Sequence, residues 1–196
     1  MRITCLDFET ANPSPVGICA AGMAVFDDGI LVESPYWLVR PPPGHDWFHN
    51  RFVECHHLTY SDVADAPEFP SIAEEVAMRL ASADIVVAHY AAFDIRHLRA
   101  TLEHFGLPQP SFEYACTCQL ARCVWPELPN HQLGTLAEHI GHRFDHHHAR
   151  EDAEAAGRVM LAMMRHNRTS TAHELLTRVG ISAESFTRHS DAPAPI

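Results

Sequence analysis

The stretch that decides the fold is residues 2–9, which read Arg-Ile-Thr-Cys-Leu-Asp-Phe-Glu. Residues 2–7 predict a buried first strand, with Asp7 and Glu9 at its end. Side chains two positions apart point to the same face of an extended segment, so the two carboxylates converge. Converging buried acids repel each other unless a cation compensates them, and oxygen-only ligands favour Mg²⁺ or Mn²⁺. The alternative interpretation is a strand that runs out into a polar loop.

The rest of the chain predicts an α/β domain. Asp27-Asp28-Gly29 is typical of a tight hairpin, which makes the third strand antiparallel to the second. Later strands are followed directly by helices, the pattern of a parallel sheet. Strands are predicted at residues 2–7, 16–26, 30–39, 84–89 and 112–117. The main helices are predicted at residues 58–64, 71–80, 93–105, 119–124, 133–140 and 149–166.

Composition excludes several classes of protein. The chain has 196 residues, of which 46% are hydrophobic and 20% charged, as in an ordinary globular domain with a small appendage. All 14 basic residues are Arg, and the net charge of −11 argues against a protein that coats nucleic acid by charge. No run approaches the roughly 18–20 apolar residues of a membrane helix, and no signal-peptide region opens the chain. We therefore expect a cytoplasmic protein with no membrane partner.

Two further acids follow predicted strands or open predicted helices. Asp94 follows the strand at residues 84–89, and Asp152 lies in the first turn of the helix at residues 149–166. An acid at either place also favours the helix dipole, which is the alternative explanation. The histidine triplet 146–148 precedes Asp152 and could be a solvated loop or a nickel or zinc site, although three adjacent histidines cannot all face one ion.

Together these segments resemble the three sequence motifs of the DEDDh 3′-5′ exonucleases, the DnaQ-like group that includes the proofreading epsilon subunit of bacterial DNA polymerase III. The resemblance extends from residue 3 to about residue 163. The matching segments are Asp7-x-Glu9, His89-Tyr90-Ala91-Ala92-Phe93-Asp94 and His147-His148-Ala149-Arg150-Glu151-Asp152-Ala153.

The resemblance implies a ribonuclease-H-like fold of the α/β class. Its sheet would be mixed and five-stranded, with the second strand antiparallel and helices on both faces. Residues 1–166 would form the exonuclease domain. Residues 167–196 would add a short helix near residues 172–179 and a tail, Asp191 to Ile196, that we expect to be disordered.

The resemblance also implies a catalytic centre. Two Mg²⁺ or Mn²⁺ ions would be held by four carboxylates, and His147 would be the general base because it stands five residues before Asp152. His146 and His148 do not match the motif. The four implied metal ligands are Asp7, Glu9, Asp94 and Asp152.

Substrate contacts are implied for a second set of residues: Phe8, Thr10, His56, Tyr90, Phe93, Arg96 and Arg99. Core packing is the alternative for Phe8 and Phe93, and solvation is the alternative for the two arginines and His56. The sequence departs from the family at Tyr90, where the usual residue is Asn, and at His57, where it is Gly.

The implied activity is metal-dependent 3′-5′ hydrolysis of single-stranded 3′ ends, DNA in preference to RNA, with release of nucleoside monophosphates. The alternatives are an exoribonuclease of the same fold, a non-catalytic nucleic-acid-binding subunit and a histidine-rich metal buffer. The implied protein partner is a polymerase or another nucleic-acid-processing protein.

Overall fold

The computed structural model describes residues 1–187, which form a mixed sheet between two layers of helices. The strands are β1 (Arg2–Thr10), β2 (Ile18–Asp27), β3 (Ile30–Glu33), β4 (Tyr36–Leu38), β5 (Ile85–Ala88), β6 (Phe112–Cys116) and β7 (Glu184–Phe186). They are ordered β3-β2-β1-β5-β6-β7, and β4 also pairs with β2. β1 is antiparallel to β2 and parallel to β5, which confirms the mixed sheet and its antiparallel second strand.

The sheet has seven strands rather than the five predicted. The predicted third strand divides at Ser34 and Pro35 into β3 and β4, which both pair with β2. Proline has no N–H to donate to a ladder, so pairing breaks there. The additional strand β7 joins the opposite edge, antiparallel to β6.

The α-helices of the described residues alternate with these strands. The helices are α1 (Asn50–His56), α2 (Tyr60–Val63), α3 (Ala73–Ala81), α4 (Ala92–His104), α5 (Thr117–Val124), α6 (Leu133–His139), α7 (Ala149–His166) and α8 (Ala172–Val179). Of these, α1 was not predicted, and its N-cap is the side chain of His49, which accepts the N–H of Arg51. Within residues 1–187, no helix combines the length and the apolar character needed to span a bilayer.

β1 divides its side chains between two cores. Ile3 and Cys5 pack on the face covered by α5 to α8, whereas Leu6 and Phe8 pack on the face covered by α3 and α4. Because alternate residues share a face, Asp7 continues the face of Ile3 and Cys5. The first carboxylate is therefore directed toward α7, the helix that carries Asp152.

Two glycines allow α7 to lie directly on the sheet. Gly22 on β2 is paired with Asp7, and a Cβ at Gly22 would overlap the backbone of Ala149 and Arg150. Gly157, within α7, would in the same way collide with Phe26. The beginning of α7 is thus seated on the sheet beside Asp7.

Residues beyond 166 pack against both cores, α8 on the face of α5 to α7 and β7 on the face of α3 and α4. Leu175 and Leu176 of α8 are buried, and the ring of Phe186 on β7 stacks on Phe112 at 4.8 Å. The domain boundary predicted after residue 166 stays a prediction, and α8 and β7 pack on the elements that precede it. The tail from Asp191 to Ile196, which we predicted to be disordered, lies outside the described residues.

Candidate active site

A cavity of about 660 Å³ opens where β1 ends, beside α1, α4 and the beginning of α7. This is the carboxyl end of β1 and β5, the edge at which open α/β sheets commonly bind ligands. All five residues predicted to be catalytic line it: Asp7, Glu9, Asp94, His147 and Asp152.

Three of the carboxylates converge closely. One carboxylate oxygen from each of Asp7, Glu9 and Asp152 lies within 4.8 Å of the others. Asp7 and Glu9 share a face of β1, and Asp152 comes from the first turn of α7, seated by Gly22. The convergence therefore follows from strand alternation and from the close packing of α7 on the sheet.

Hydrogen bonds hold the side chains of Asp94 and Asp152, two residues that are only 1% and 3% exposed. Oδ1 of Asp94, in the first turn of α4, accepts the backbone N–H of Phe8 at 2.9 Å. Oδ1 of Asp152 accepts a hydrogen bond from Nδ1 of His146 at 2.6 Å. Oδ2 of Asp152 is buried and has no hydrogen-bond partner among residues 1–187.

Burial and repulsion from neighbouring acids raise the pKa values of Asp7, Glu9 and Asp94. Burial, followed by the charge of the neighbouring acids, raises the pKa of Glu9 to about 9 and the pKa of Asp7 well above its usual value. Burial likewise raises the pKa of Asp94, against the opposing effect of the Phe8 N–H. Among residues 1–187, none of the residues that line the cavity is an arginine.

These features fit a divalent cation. A hard ion such as Mg²⁺ or Mn²⁺ prefers oxygen ligands, and buried carboxylates without a cation are costly. The convergent oxygens of Asp7, Glu9 and Asp152, together with the unpartnered Oδ2 of Asp152, supply such ligands. The donor set therefore suits a hard divalent cation.

His147 lies on the non-helical segment before α7. Its φ of 68° is left-handed, and a ring nitrogen lies within 4.8 Å of a carboxylate oxygen of Asp152. Burial, reinforced by the charge of His146, lowers the pKa of His147. The imidazole is therefore neutral at neutral pH and can accept a proton.

The neighbouring histidines differ from each other. His148 is the N-cap residue of α7, and its ring stacks on Tyr36 at 4.5 Å rather than lining the cavity. His146 does line the cavity, where its hydrogen bond to Asp152 raises its own pKa. The motif spacing gave no reason to place His146 there, so sequence reasoning missed this contact.

Five of the predicted substrate-contact residues line the cavity. Phe8 is 3% exposed and packs edge-on against Phe69 at 6.3 Å, so it also serves the core. Nε2 of His56 lies 3.1 Å from the carbonyl oxygen of Thr10. Phe93 is 41% exposed, so its alternative interpretation as a core residue is wrong. The five are Phe8, Thr10, His56, Tyr90 and Phe93.

The two departures from the family share one backbone property. Tyr90 has a φ of 58° and His57 a φ of 62°, both in the left-handed region. Asn and Gly tolerate that region better than a bulky side chain does. The family's usual residues therefore suit the backbone here, while this chain adopts the same backbone with larger side chains. Tyr90 is 49% exposed.

Arg96 and Arg99 lie outside the cavity. They line a separate depression on α4 that also includes Pro15 and Tyr114. The guanidinium of Arg99 lies over the ring of Phe186 at 4.4 Å and contacts Gln109 at 3.2 Å. The predicted phosphate contacts of these two arginines remain predictions.

The cavity includes further residues that were not predicted. Buried His89 contacts the hydroxyl of Thr117 at 2.9 Å, and burial lowers the pKa of His89 to about 4. The available signal for His89 was its place at the end of an apolar strand. The other unpredicted lining residues are Phe52, Cys55, Gln132, Leu133 and His146.

Comparison with known proteins adds a family and several relatives. The RNase_T family, described as exonuclease, matches residues 4–160. A PolC-type DNA polymerase III from Streptococcus pneumoniae is 32% identical over 163 residues, covering 81% of this chain and 11% of that protein. The corresponding protein from Streptococcus thermophilus is 39% identical over 82 residues, covering 41% of this chain and 6% of that protein. The chain thus spans about a tenth or less of the length of these relatives.

Solved structures share the fold. Exonuclease X in complex with 5′-overhanging duplex DNA has a TM-score of 0.71 at 24% identity, covering 91% of this chain and 99% of that one. The nuclease domain of 3′hExo, a DEDDh family member bound to rAMP, has a TM-score of 0.70 at 16% identity, with coverages of 84% and 92%. Product-bound exonuclease I has a TM-score of 0.74 at 13% identity, with coverages of 90% and 45%.

Proposed function

Because this chain belongs to the RNase_T exonuclease family, and within it to the DnaQ-like 3′-5′ exonucleases of the DEDDh type, we propose that it removes nucleotides one at a time from single-stranded 3′ ends, DNA in preference to RNA. The products would be nucleoside monophosphates. The observation that carries this proposal is the grouping of four carboxylates and His147, whose pKa is lowered, in one cavity.

The four carboxylates would hold two divalent ions, Mg²⁺ or Mn²⁺. Such ions neutralise charge on the scissile phosphate and stabilise the leaving 3′ oxygen. Asp7 would contribute to both positions, Glu9 and Asp152, whose oxygens converge with that of Asp7, to one of them, and Asp94 to the other. Without cations, the same carboxylates repel the phosphate, so metal serves substrate binding as well as hydrolysis.

The protein's own side chains would prepare the nucleophile and hold the terminal nucleotide. His147 would take the proton of the attacking water, since its lowered pKa keeps the imidazole neutral at neutral pH. Exposed Phe93 and Tyr90 would contact the sugar or base of the terminal nucleotide. His56, held against the carbonyl of Thr10, would form the opposite wall.

The preference for DNA draws on the PolC-type relatives, which are DNA polymerases by name, and on the exonuclease X complex with DNA. RNA is the second candidate substrate, because the nuclease domain of 3′hExo, which has the same fold, was solved bound to rAMP. The two nucleic acids differ at the 2′-hydroxyl of the nucleotide that enters the cavity. A polymerase, in a longer chain or as a separate protein, remains the proposed partner.

The test uses 5′-labelled single-stranded DNA, duplex DNA and RNA oligomers of matched sequence, each with Mg²⁺, Mn²⁺ or EDTA. We expect stepwise shortening of single-stranded DNA first, and none in EDTA. Faster loss of RNA would favour the exoribonuclease. Absence of hydrolysis with either metal would favour a non-catalytic binding subunit, and hydrolysis in EDTA would contradict the metal mechanism.

A further inference from the structure

Three aromatic side chains lead from the catalytic cavity toward solvent. Phe52 lines the cavity, and the ring of His49 lies 5.8 Å from the ring of Phe52. The ring of Trp47 lies 6.2 Å from the ring of His49 and is 51% exposed. We call Trp47, His49 and Phe52 the aromatic track.

The backbone of the track is fixed to the end of β1. Asn12 is fully buried, and its Nδ2 donates to the carbonyl oxygen of Trp47 at 2.6 Å. The N–H of His49 donates to the carbonyl oxygen of Ala11 at 2.9 Å. Asn12 and Ala11 directly follow β1, the strand that carries Asp7 and Glu9. The exposed rings are therefore held in a set position relative to the carboxylates.

The negative net charge of the molecule indicates how the track could bind a nucleic acid. A chain with a net charge of −11 cannot hold a nucleic acid strand by general attraction to phosphates. Aromatic side chains provide the alternative, because unpaired bases of any sequence stack on them.

We propose that the aromatic track is a stacking platform for the unpaired bases that lie 5′ of the nucleotide bound in the cavity. The inference rests on the proposed function and assigns it a substrate class, a single strand several nucleotides long. A paired base cannot offer its face to the track, so the platform selects single-stranded ends. The continuity of the track with the cavity, through Phe52, favours this occupant over a protein partner.

The first experiment compares kcat/KM for a dinucleotide and for a single-stranded oligomer of about twelve nucleotides, a length within the range of known single-strand sites. Trp47→Ala should lower kcat/KM for the oligomer by roughly 5- to 100-fold and leave the dinucleotide within about 2-fold. Trp47→Phe should restore most of the loss. The matched control is Tyr60→Ala, since Tyr60 is 48% exposed and lies outside the cavity and the track. Equal loss on both substrates would overturn the proposal.

The second experiment measures binding without hydrolysis, by anisotropy of a 5′-labelled oligomer with a non-hydrolysable 3′-terminal linkage. Abasic sites 5′ of the terminal nucleotides should weaken binding to the parent and cause no further loss in Trp47→Ala. Binding by Trp47→Ala equal to that of Tyr60→Ala would show that Trp47 serves another partner and would overturn the proposal. If the parent binds in this pattern but hydrolyses nothing, the track stands and the proposed function fails.

Discussion

The floor and the rim of the cavity are built from different kinds of backbone. The floor carboxylates stand on regular elements, with Asp7 and Glu9 on β1 and Asp94 and Asp152 in the first turns of α4 and α7. The rim includes two residues with left-handed backbone, Tyr90 and His147.

The difference separates two requirements. Convergent carboxylates need positions that do not relax away from one another, and a sheet with a helix seated on it provides them. Residues with a left-handed backbone cost roughly 1–3 kcal/mol each and persist where their surroundings hold them, often at functional sites. The carboxylates of the floor are thus held rigidly by regular elements. The left-handed backbone of the rim lowers the stability of the fold but directs side chains such as His147 into the cavity.

The largest expected effect tests the rim. His147→Ala should lower kcat by about 10²–10⁴-fold, the usual contribution of a general base, while metal-dependent oligonucleotide binding survives. His148→Ala is the matched control, since its ring faces Tyr36, and we expect kcat within a few-fold of the parent. His146→Ala should also stay within a few-fold. Single-turnover rates on one oligonucleotide would decide this, and an inactive His148→Ala beside an active His147→Ala would reverse the assignment.

The next effect tests the floor through metal and pH. Since the pKa of Glu9 is raised from 4.5 to about 9, the folded protein retains protons that the unfolded chain releases above about pH 4.5. The folded state then binds more protons, so the free energy of unfolding of the metal-free protein falls between roughly pH 4.5 and pH 9.

A divalent ion should relieve this loss, with a stabilisation of about 2.7 kcal/mol at a hundredfold excess over its Kd. Thermal unfolding in Mg²⁺, Mn²⁺ and EDTA should show a larger gain in Tm at about pH 8 than at about pH 5, where protons compete with the metal. An equal gain at both pH values would contradict the raised pKa values of Asp7, Glu9 and Asp94.

Gly22→Ala tests how the floor is seated. The new methyl group would meet the backbone of Ala149, which cannot rotate away as a side chain can, so we expect a loss of about 1–3 kcal/mol in the free energy of unfolding. Activity should fall more than stability predicts, because Asp152 moves with α7. The control is Gly134→Ala in α6, where a Cβ meets nothing within 4 Å and should stabilise slightly. Urea unfolding of both variants is the measurement.

The smallest expected effect tests the backbone strain at Tyr90, on the rim. Tyr90→Asn places a residue that tolerates a left-handed backbone at a φ of 58°, so we expect a gain of about 0.5–1 kcal/mol in the free energy of unfolding. Tyr60→Asn makes the same substitution at an exposed tyrosine that begins α2 and should give no gain. If both variants respond alike in urea, strain at Tyr90 is not the cause.

The floor was predictable from sequence because it follows local rules. Alternation along β1 places Asp7 and Glu9 on one face, and the helix-opening positions of Asp94 and Asp152 could be read from the strands and helices around them. The additional strand β7 could not be predicted, since three residues carry too little pattern. Its place depends on the stacking of Phe186 on Phe112, a contact that only the assembled sheet provides.

The rim was less predictable for the same physical reason. Spacing relative to Asp152 placed His147 in the cavity, but neither the left-handed φ of His147 nor the hydrogen bond between His146 and Asp152 leaves a trace in hydrophobic periodicity. Similarly, α1 begins at a histidine cap, His49, rather than at one of the usual capping residues. Trp47 gave no signal, because the buried hydrogen bond from Asn12 that fixes its carbonyl joins residues far apart in the sequence.

The close packing of α7 on Gly22 implies that the active site forms late in folding. Asp7 emerges early in synthesis and Asp152 late, and no cluster of carboxylates exists until α7 has docked on the finished β1–β2 hairpin. Contacts between such distant residues form late, since their loop must close first. A nascent or half-folded chain would therefore be unable to cut nucleic acid, including the messenger and ribosome beside it, and recovery of hydrolysis during refolding would report the last step of assembly.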